Sequence, residues 1–256
     1  MTNLSKEELL ERADMYKSKI EKVRPLGVSD LRELDEYFRI GLTYSSNALE
    51  GNTLSISETK ILIEEGITIA GKPLKDCYEA VGHAQAYDYM LEIARSKEYE
   101  ISEDIIKRLH FLFYNRVDAE RAGQYRQEQV YISGSEYLPP SPNEVPNLMK
   151  NFINQINSLK SKLHPIEHAA IFHKKLVDIH PFTDGNGRTA RLLMNLMLIN
   201  SGYGIVTISP VLRNEYITTL VISQREKNPD TEPFIKLIAE CVIETQKDYC
   251  RLLRIQ

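Results

Sequence analysis

The fold is decided by a stretch that reads Ile179-His180-Pro181-Phe182-Thr183-Asp184-Gly185-Asn186-Gly187-Arg188-Thr189-Ala190-Arg191. It lies between two helical patterns, because apolar residues recur at helical spacing over 165–179 and again over 188–200. Pro181 stops the first helix, so we expect His180 at the point where that helix becomes a loop. The second helix is apolar nearly all round, which predicts that it is buried.

The start of the second helix carries two arginines where cations are unfavourable. Arg188 and Arg191 are three residues apart in its first turn, where the helix dipole is positive. Their presence is explained if an anion binds there, because helix N-termini hold phosphate through free backbone N–H groups. Gly185 and Gly187 would let such a ligand approach closely. The pattern therefore indicates an anion site.

Two other side chains of the stretch suit phosphate chemistry. Asp184 could hold Mg²⁺ against a phosphate, and His180 could act as a general base because imidazole titrates near neutral pH. A capped structural turn is the alternative for any one of these residues. A zinc site is another alternative, but the spacings of the nearby histidines match no zinc motif: His164, His168 and His173. The combination favours nucleotidyl or phosphoryl transfer.

The stretch from His180 to Arg191 resembles the signature of the Fic family, HPFx[D/E]GNGRxxR, and meets every defined position. Members of that family mostly transfer AMP from ATP to a hydroxyl side chain of a target protein. The resemblance implies that His180 takes the proton of a Tyr, Ser or Thr hydroxyl and that Asp184 holds Mg²⁺ on the α- and β-phosphates. It also implies that Arg188 and Arg191 clamp the β- and γ-phosphates, while three residues cradle the phosphates: Gly185, Asn186 and Gly187.

A second resemblance lies upstream, in Ser46-Asn47-Ala48-Leu49-Glu50-Gly51-Asn52, which is similar to the inhibitory motif [S/T]xxxE[G/N] of the same family. Ser46 and Glu50 are four residues apart and share a helix face. A carboxylate at the negative end of a helix is unfavourable unless a cation faces it. The resemblance implies that this cation is Arg191 and that Glu50 occupies the γ-phosphate clamp. The alternative is a solvated surface glutamate.

Two less specific similarities concern the ligands of the site. Residues 123–126 and 129–140 resemble the Fic flap, a β-hairpin turning at 133–135 that holds a target segment by strand pairing, with Val130 and Ile132 as contact residues. The alternative is an ordinary surface hairpin. By the same resemblance, Asn195 and Gln224 are expected at the ribose or base. Ile217 departs from the aromatic residue that relatives have at its position.

Composition bounds the remaining possibilities. The chain has 256 residues, 42% hydrophobic and 27% charged, with a formal net charge of −4. This balance and the absence of a basic run argue against general nucleic-acid binding. We expect no membrane association and a cytoplasmic location, because the sequence shows no apolar span or signal region and three cysteines without paired spacing.

Helical patterns dominate the chain, so the expected fold class is all-α, a Fic-fold helical bundle with one short β-hairpin flap. The helices are predicted at about 5–23, 30–50, 56–66, 75–96, 103–116, 143–159, 165–179, 187–200, 210–225 and 232–254. The expected organisation is N-terminal helices at 1–74 carrying the inhibitory segment 46–51, a catalytic core at 75–225 and a closing helix at 226–256.

Together these patterns predict an autoinhibited protein adenylyltransferase that uses Mg²⁺ and ATP. Its expected partners are ATP, a protein target that reaches the flap as an extended segment, and a second copy of the chain in a homodimer. Transfer of another nucleotide, or removal of AMP, is an alternative on the same fold. A nucleotide-gated protein-binding module without activity is an alternative of another class.

Overall fold

A computed structural model describes residues 4–96, 100–132 and 135–255 of the chain. These residues form ten α-helices, and the short 3-10 helices Pro142–Glu144 and Pro210–Leu212 lead into the sixth and ninth. The predicted all-α fold is confirmed, and each predicted helix is present. The helices are α1 (Lys6–Glu21), α2 (Val28–Ala48), α3 (Ile56–Glu65), α4 (Leu74–Arg95), α5 (Glu103–Tyr114), α6 (Val145–Leu159), α7 (Pro165–Ile179), α8 (Asn186–Asn200), α9 (Arg213–Ser223) and α10 (Glu232–Leu252).

Capping side chains set the starts of α1 and α3. Ser5 and Ser55 each accept a hydrogen bond from the backbone N–H three residues further on. Glu8 and Glu58 reach back to the N–H of the serine, which completes a capping box at α1 and at α3. These local sequences therefore fix where α1 and α3 begin.

Helix α8 runs through the middle of the bundle. All its residues from Arg188 to Leu198 are buried, and α7, α4 and α5 pack against it. This confirms the burial that its apolar surface predicts. Although α8 is strongly apolar, no helix in the described ranges combines the length and apolarity that a membrane span requires.

One continuous hydrophobic core joins most of the described helices. It includes residues of α1 and α10, which pack along each other, as well as the helices around α8. A smaller cluster lies under α3 and consists of Leu54, Leu62, Cys77 and Ala80. The division into segments 1–74, 75–225 and 226–256 therefore stays a prediction, since side chains of all three share the main core.

Helix α2 carries the predicted inhibitory segment to the start of α8. It packs on α4, and its C-terminal end is held by Arg213, whose Nε donates to the carbonyl of Leu49 at 2.9 Å. A cation at the negative end of a helix is favourable. Gly51 follows with φ 92°, a left-handed conformation that ends the helix and turns Glu50 toward α8.

The predicted β-hairpin is not formed. No residue in the described parts of the flap segment, 129–132 and 135–140, is in a strand, and the predicted turn residues Ser133 and Gly134 lie outside the described residues. Side chains hold the segment instead: Gln129 Nε2 donates to the carbonyl of Pro139 at 3.0 Å, and Arg126 donates to the carbonyl of Pro140. Two strands alone are marginally stable, so the expected pairing fails without a third strand.

Candidate active site

The loop between α7 and α8 is held together by its own side chains. His180 ends α7 in a left-handed conformation with φ 50°, and Gly185 has φ 78° directly before α8. Asn186 closes the loop, because its Nδ2 donates to the carbonyl of Phe182 at 2.8 Å and its Oδ1 accepts from the N–H of Phe182 at 2.9 Å. The Asn186 side chain is thus used within the loop, which leaves the backbone at the helix start as the anion-facing surface.

His110 of α5 supports this loop, and sequence analysis missed it. The N–H of Gly123 donates to its Nδ1 at 2.9 Å, so the ring proton is on Nε2, which donates to the carbonyl of Asp184 at 3.0 Å. The ring stacks on Phe182 with centroids 3.8 Å apart. Burial lowers the pKa of His110 to about 4, which keeps the ring neutral. No spacing rule links it to a residue 74 positions away.

The ring of His180 is oriented by neighbouring backbone. Its Nδ1 lies 3.2 Å from the carbonyl oxygen of Val177, and because a carbonyl only accepts, Nδ1 carries the proton and Nε2 keeps a free lone pair. Arg126 fixes the backbone by donating from Nε to the carbonyl of His180 at 2.8 Å. Burial lowers the pKa of His180 below its ordinary value, although the bond to Val177 opposes the shift. The side chain has the form that a general base requires.

Asp184 presents a carboxylate at the start of α8. Its Oδ1 accepts from the N–H of Gly185 at 2.6 Å and lies 3.2 Å from Nη2 of Arg188, while Oδ2 lies 3.7 Å from Nζ of Lys75. Burial raises the pKa of Asp184, but the charge of Arg188 and the bond to Gly185 outweigh it, so the pKa lies below its ordinary value. The side chain is 40% exposed, which leaves an ionised group accessible to a cation.

This carboxylate suits Mg²⁺ better than a metal held by protein alone. Mg²⁺ commonly takes one or two carboxylates and completes its shell with waters and substrate phosphates. In the described ranges, no group of three or more His, Cys, Asp or Glu side chains could enclose a metal ion. A metal at Asp184 would therefore be shared with a bound phosphate.

Arg188 is buried and fixed from several sides. Its Nη1 lies 2.9 Å from Oε1 of Glu79, a residue of α4 that sequence analysis missed, and its guanidinium carbon lies 4.3 Å from the ring centroid of Phe113. The side chain is 4% exposed. Its Nε is buried without a hydrogen-bond partner among the described residues, a cost that an anionic ligand would relieve.

Arg191 is the point where the motif meets the predicted inhibitory segment. Its Nε donates to Oγ of Ser46 at 2.9 Å, and its Nη2 donates to the carbonyl of Ser46 at 2.8 Å and to Oε1 of Glu50 at 2.7 Å. Its Nη1 donates to the hydroxyl of Tyr216 at 3.1 Å. The arginine side chain is 1% exposed. The structure thus brings together the Ser46, Glu50 and Arg191 side chains that lie far apart in sequence.

The carboxylate of Glu50 occupies an anion position at the start of α8. It lies so close to Gly187 that a Cβ at this residue would collide with it. Burial raises the pKa of Glu50, but the charges of Arg191 and Arg188 outweigh it, and the pKa is lowered. The side chain is 36% exposed, whereas its arginine partner is buried, so the ion pair is open to solvent only on the glutamate side.

Two predicted nucleotide-binding residues lie in different settings. Asn195 is fully buried, its Nδ2 donating to the carbonyls of Arg191 and Val206 and its Oδ1 accepting from the N–H of Val206. Gln224 lines a cavity of about 810 Å³ between α9 and the flap segment, and its Nε2 donates to Oδ1 of Asp178 at 2.8 Å. Nucleotide contact by either residue stays a prediction, and the satisfied amide of Asn195 leaves it no free polar atom.

The predicted target-docking residues lie on the flap segment. Val130 and Ile132 are partly buried, whereas Tyr131 between them is 79% exposed. The alternation agrees with an extended backbone that turns successive side chains to opposite sides. Their role in docking stays a prediction.

Several known proteins are similar in sequence to this chain. The model of the Fic/DOC family matches residues 100–198. A protein adenylyltransferase Fic of Nematostella vectensis is 34% identical over 244 residues, 95% of this chain and 56% of that protein. Another, of Drosophila mojavensis, is 37% identical over 203 residues, 79% of this chain and 39% of that protein. The chain therefore spans less than two thirds of the length of these curated relatives.

Solved structures show the same arrangement of helices over nearly the whole chain. Fic-1 of C. elegans, residues 134–508, has a TM-score of 0.87 and 32% identity, and the match covers 97% of this chain and 73% of that one. A Fic domain containing signaling protein of Bacteroides thetaiotaomicron has a TM-score of 0.86 and 29% identity, with 95% and 98% covered.

Proposed function

The chain belongs to the Fic family, and we propose that it is an autoinhibited protein adenylyltransferase. In this proposal it transfers AMP from Mg-ATP to a hydroxyl of a target protein or of itself. The observation that carries the proposal is the contact between Arg191 Nη2 and Glu50 Oε1 at 2.7 Å, in which a carboxylate takes the place of a phosphate at the anion site. The names of its relatives support the activity.

The proposed reaction begins at His180. Its unprotonated Nε2 accepts the proton of the attacking hydroxyl, whose oxygen forms a bond to the α-phosphorus of ATP. The bond from that phosphorus to the bridging oxygen of the β-phosphate breaks, and pyrophosphate leaves. The tautomer fixed by the Val177 carbonyl supports this role, because it presents the lone pair on the ring nitrogen farther from the backbone.

Phosphate binding in the proposal falls to the start of α8. Gly185, Asn186 and Gly187 cradle the phosphates at the positive end of the helix, where the N–H groups of residues 186 and 187 face them because that of Gly185 is bound by Asp184. Arg188 and Arg191 balance the charge of the outer phosphates. Mg²⁺ bound by Asp184 would neutralise charge that develops on the α- and β-phosphates. The ionised, 40% exposed carboxylate of Asp184 supports this assignment.

Autoinhibition in the proposal is competition for one guanidinium. Glu50 and the γ-phosphate both require Nη2 of Arg191, so ATP that enters beside Glu50 lacks its outermost contact and is held in an unproductive position. Ser46 supports the closed state through two further bonds to the same arginine. Departure of the segment 46–51 from Arg191 therefore requires the loss of hydrogen bonds to a buried, charged group. This cost keeps the resting protein largely in the closed state.

Several further expectations belong to the same proposal. We place the target segment on residues 129–140, because their backbone is not engaged in strand pairing where the structure describes it. We propose a homodimer through exposed apolar side chains near the α3–α4 junction, where Ile67 is 52% and Leu74 57% exposed. A cytoplasmic location is supported by three buried, free cysteines: Cys77, Cys241 and Cys250.

The test is Glu50→Gly incubated with Mg-ATP and analysed by intact-mass spectrometry. Removing the carboxylate frees Arg191, so we expect self-modification by the mass of one or more AMP groups, while the unchanged chain stays nearly unmodified. Glu65→Gly is a matched control, since Glu65 also directly precedes a glycine that ends a helix but is exposed and lies away from the arginines. It should leave the chain unmodified.

Glu50→Gly combined with His180→Ala separates catalysis from binding. Transfer should be lost while ATP still binds, because His180 touches the attacking hydroxyl and not the nucleotide clamp. A mass shift of UMP or of phosphate would point to different chemistry on the same fold. ATP binding without any transfer by Glu50→Gly would contradict the proposal and favour a binding module without activity.

A further inference from the structure

The Arg191 side chain donates four hydrogen bonds, and three of them go to the predicted inhibitory segment, residues 46–51. Its Nε and Nη2 are bound by Ser46 and Glu50, which lie in α2 and in the turn after it. The fourth bond joins Nη1 to the hydroxyl of Tyr216, at 3.1 Å, and Tyr216 lies in α9. This hydroxyl is thus the described partner of the guanidinium that lies outside the predicted inhibitory segment.

The nitrogen bound by Tyr216 faces the anion site. Nη1 lies 3.1 Å from the point where a Cβ on Gly187 would stand, next to the carboxylate of Glu50. A ligand that replaces this carboxylate at the start of α8 would therefore meet a guanidinium whose rotation is fixed through Nη1. Loss of the Tyr216 hydroxyl would leave Nη1 without the bond that fixes this rotation.

The Tyr216 hydroxyl is itself held by a buried histidine. Nε2 of His173 lies 3.1 Å from it, and the side chains of both residues are almost fully buried, at 3% and 0% exposure. Because a guanidinium only donates, the hydroxyl oxygen accepts from Arg191 and sends its own proton to His173. Burial, with the charge of Arg191, lowers the pKa of His173 to about 3, so the ring stays neutral and able to accept. The Tyr216 hydroxyl therefore links Arg191 to His173.

We propose that Tyr216, oriented by His173, is a positioning residue that aims Arg191 at the γ-phosphate when Glu50 has left. This inference rests on the proposed function, in which Arg191 clamps that phosphate. Tyr216 touches no part of the nucleotide in this role and acts through the arginine. Its contribution is therefore specific to ligands that carry a γ-phosphate.

The test compares ATP with ADP, because only ATP reaches the clamp. In the chain that carries both Glu50→Gly and His180→Ala, which is expected to bind ATP without consuming it, Tyr216→Phe keeps the ring and removes the hydroxyl. We expect its dissociation constant for Mg-ATP to rise by about tenfold, the effect of one hydrogen bond to a charged group, while that for Mg-ADP stays nearly constant. Isothermal titration calorimetry gives both constants. His173→Phe should weaken the binding of ATP but not of ADP in the same way, since it removes the acceptor that orients the Tyr216 hydroxyl. This variant replaces Tyr216→Phe if Tyr216→Phe does not fold.

Tyr249→Phe is the matched control, because Tyr249 is also a buried tyrosine whose hydroxyl makes one hydrogen bond, with the N–H of Ile205. It should leave the ratio of the ATP and ADP constants unchanged even where it lowers thermal stability. An equal loss for both nucleotides, or an unchanged ratio, in Tyr216→Phe would overturn the inference. The binding ratio does not depend on AMP transfer, so it can succeed while the proposed activity fails, and transfer by Glu50→Gly can succeed while the ratio test fails.

Discussion

Replacement of Ser46 by alanine should loosen the inhibited state without touching the catalytic motif. The Ser46 Oγ accepts from Nε of Arg191 at 2.9 Å, and both side chains are almost fully buried. Without it, a charged N–H stays inside the protein unpaired in the closed state. A hydrogen bond to a charged group contributes about 1.5–3 kcal/mol. The lower end of that range raises the open fraction about tenfold when the open state solvates the same group.

The assay for Ser46→Ala is the rate of self-modification with Mg-ATP, followed by intact mass in an otherwise unchanged chain. Ser45→Ala is the matched control, since Ser45 is the preceding buried serine of α2 and its Oγ donates to the carbonyl of Leu42 in its own helix. Both variants lose one buried hydroxyl, but only Ser46→Ala weakens the hold on Arg191. Equal rates in the two variants would refute the reasoning, because the effect would then reflect a general loosening of α2.

Three further outcomes follow from the site geometry. In the Glu50→Gly chain, the rate of AMP transfer should fall on acidification with a midpoint below pH 6.5. The reason is that burial lowers the pKa of His180, and protonation removes the lone pair of Nε2. A midpoint above 6.5 in the pH–rate profile would exclude His180 as the base. In the same chain, Asp184→Asn removes a charged ligand of the metal. The Mg²⁺ concentration for half-maximal transfer should therefore rise by about tenfold or more. An unchanged metal titration would reject the Asp184 carboxylate as the metal ligand. Asp178 accepts from Nε2 of Gln224, which leaves Oε1 of Gln224 as the atom that we expect to accept from the amino group of adenine. Asp178→Asn lets the amide reverse and should lower the preference for ATP over GTP about tenfold in binding assays, whereas an unchanged preference would place the base elsewhere.

Local sequence was sufficient for the helices and for the motif loop. The capping boxes at Ser5 and Ser55 act over a few residues, as does Pro181. Their effect can therefore be predicted from the sequence without knowledge of the fold. The burial of α8 followed from its apolar surface. The pairing of Glu50 with Arg191 was also expected, although only through resemblance, since no local rule joins residues 141 positions apart.

The supporting side chains could not be predicted because they act through tertiary contact. Three side chains outside α8 contact residues of the site: Glu79, His110 and His173. The sequence around each of them has the pattern of an ordinary buried helix face. The prediction of a β-hairpin was wrong for a related reason. Its alternating pattern is compatible with strand, but pairing needs a stable partner, and side-chain bonds from Arg126 and Gln129 hold the segment in another way.

The central claim, that Glu50 withholds AMP transfer by occupying the clamp at Arg191, is tested most directly with ATP labelled at either end. The unchanged chain and the Glu50→Gly chain are incubated in parallel with Mg-ATP labelled on the α-phosphate or on the γ-phosphate, and protein-bound label is measured. We expect Glu50→Gly to retain the α-label and none of the γ-label, and the unchanged chain to retain little of either. Equal α-labelling of both chains, or γ-label on the protein, would contradict the account.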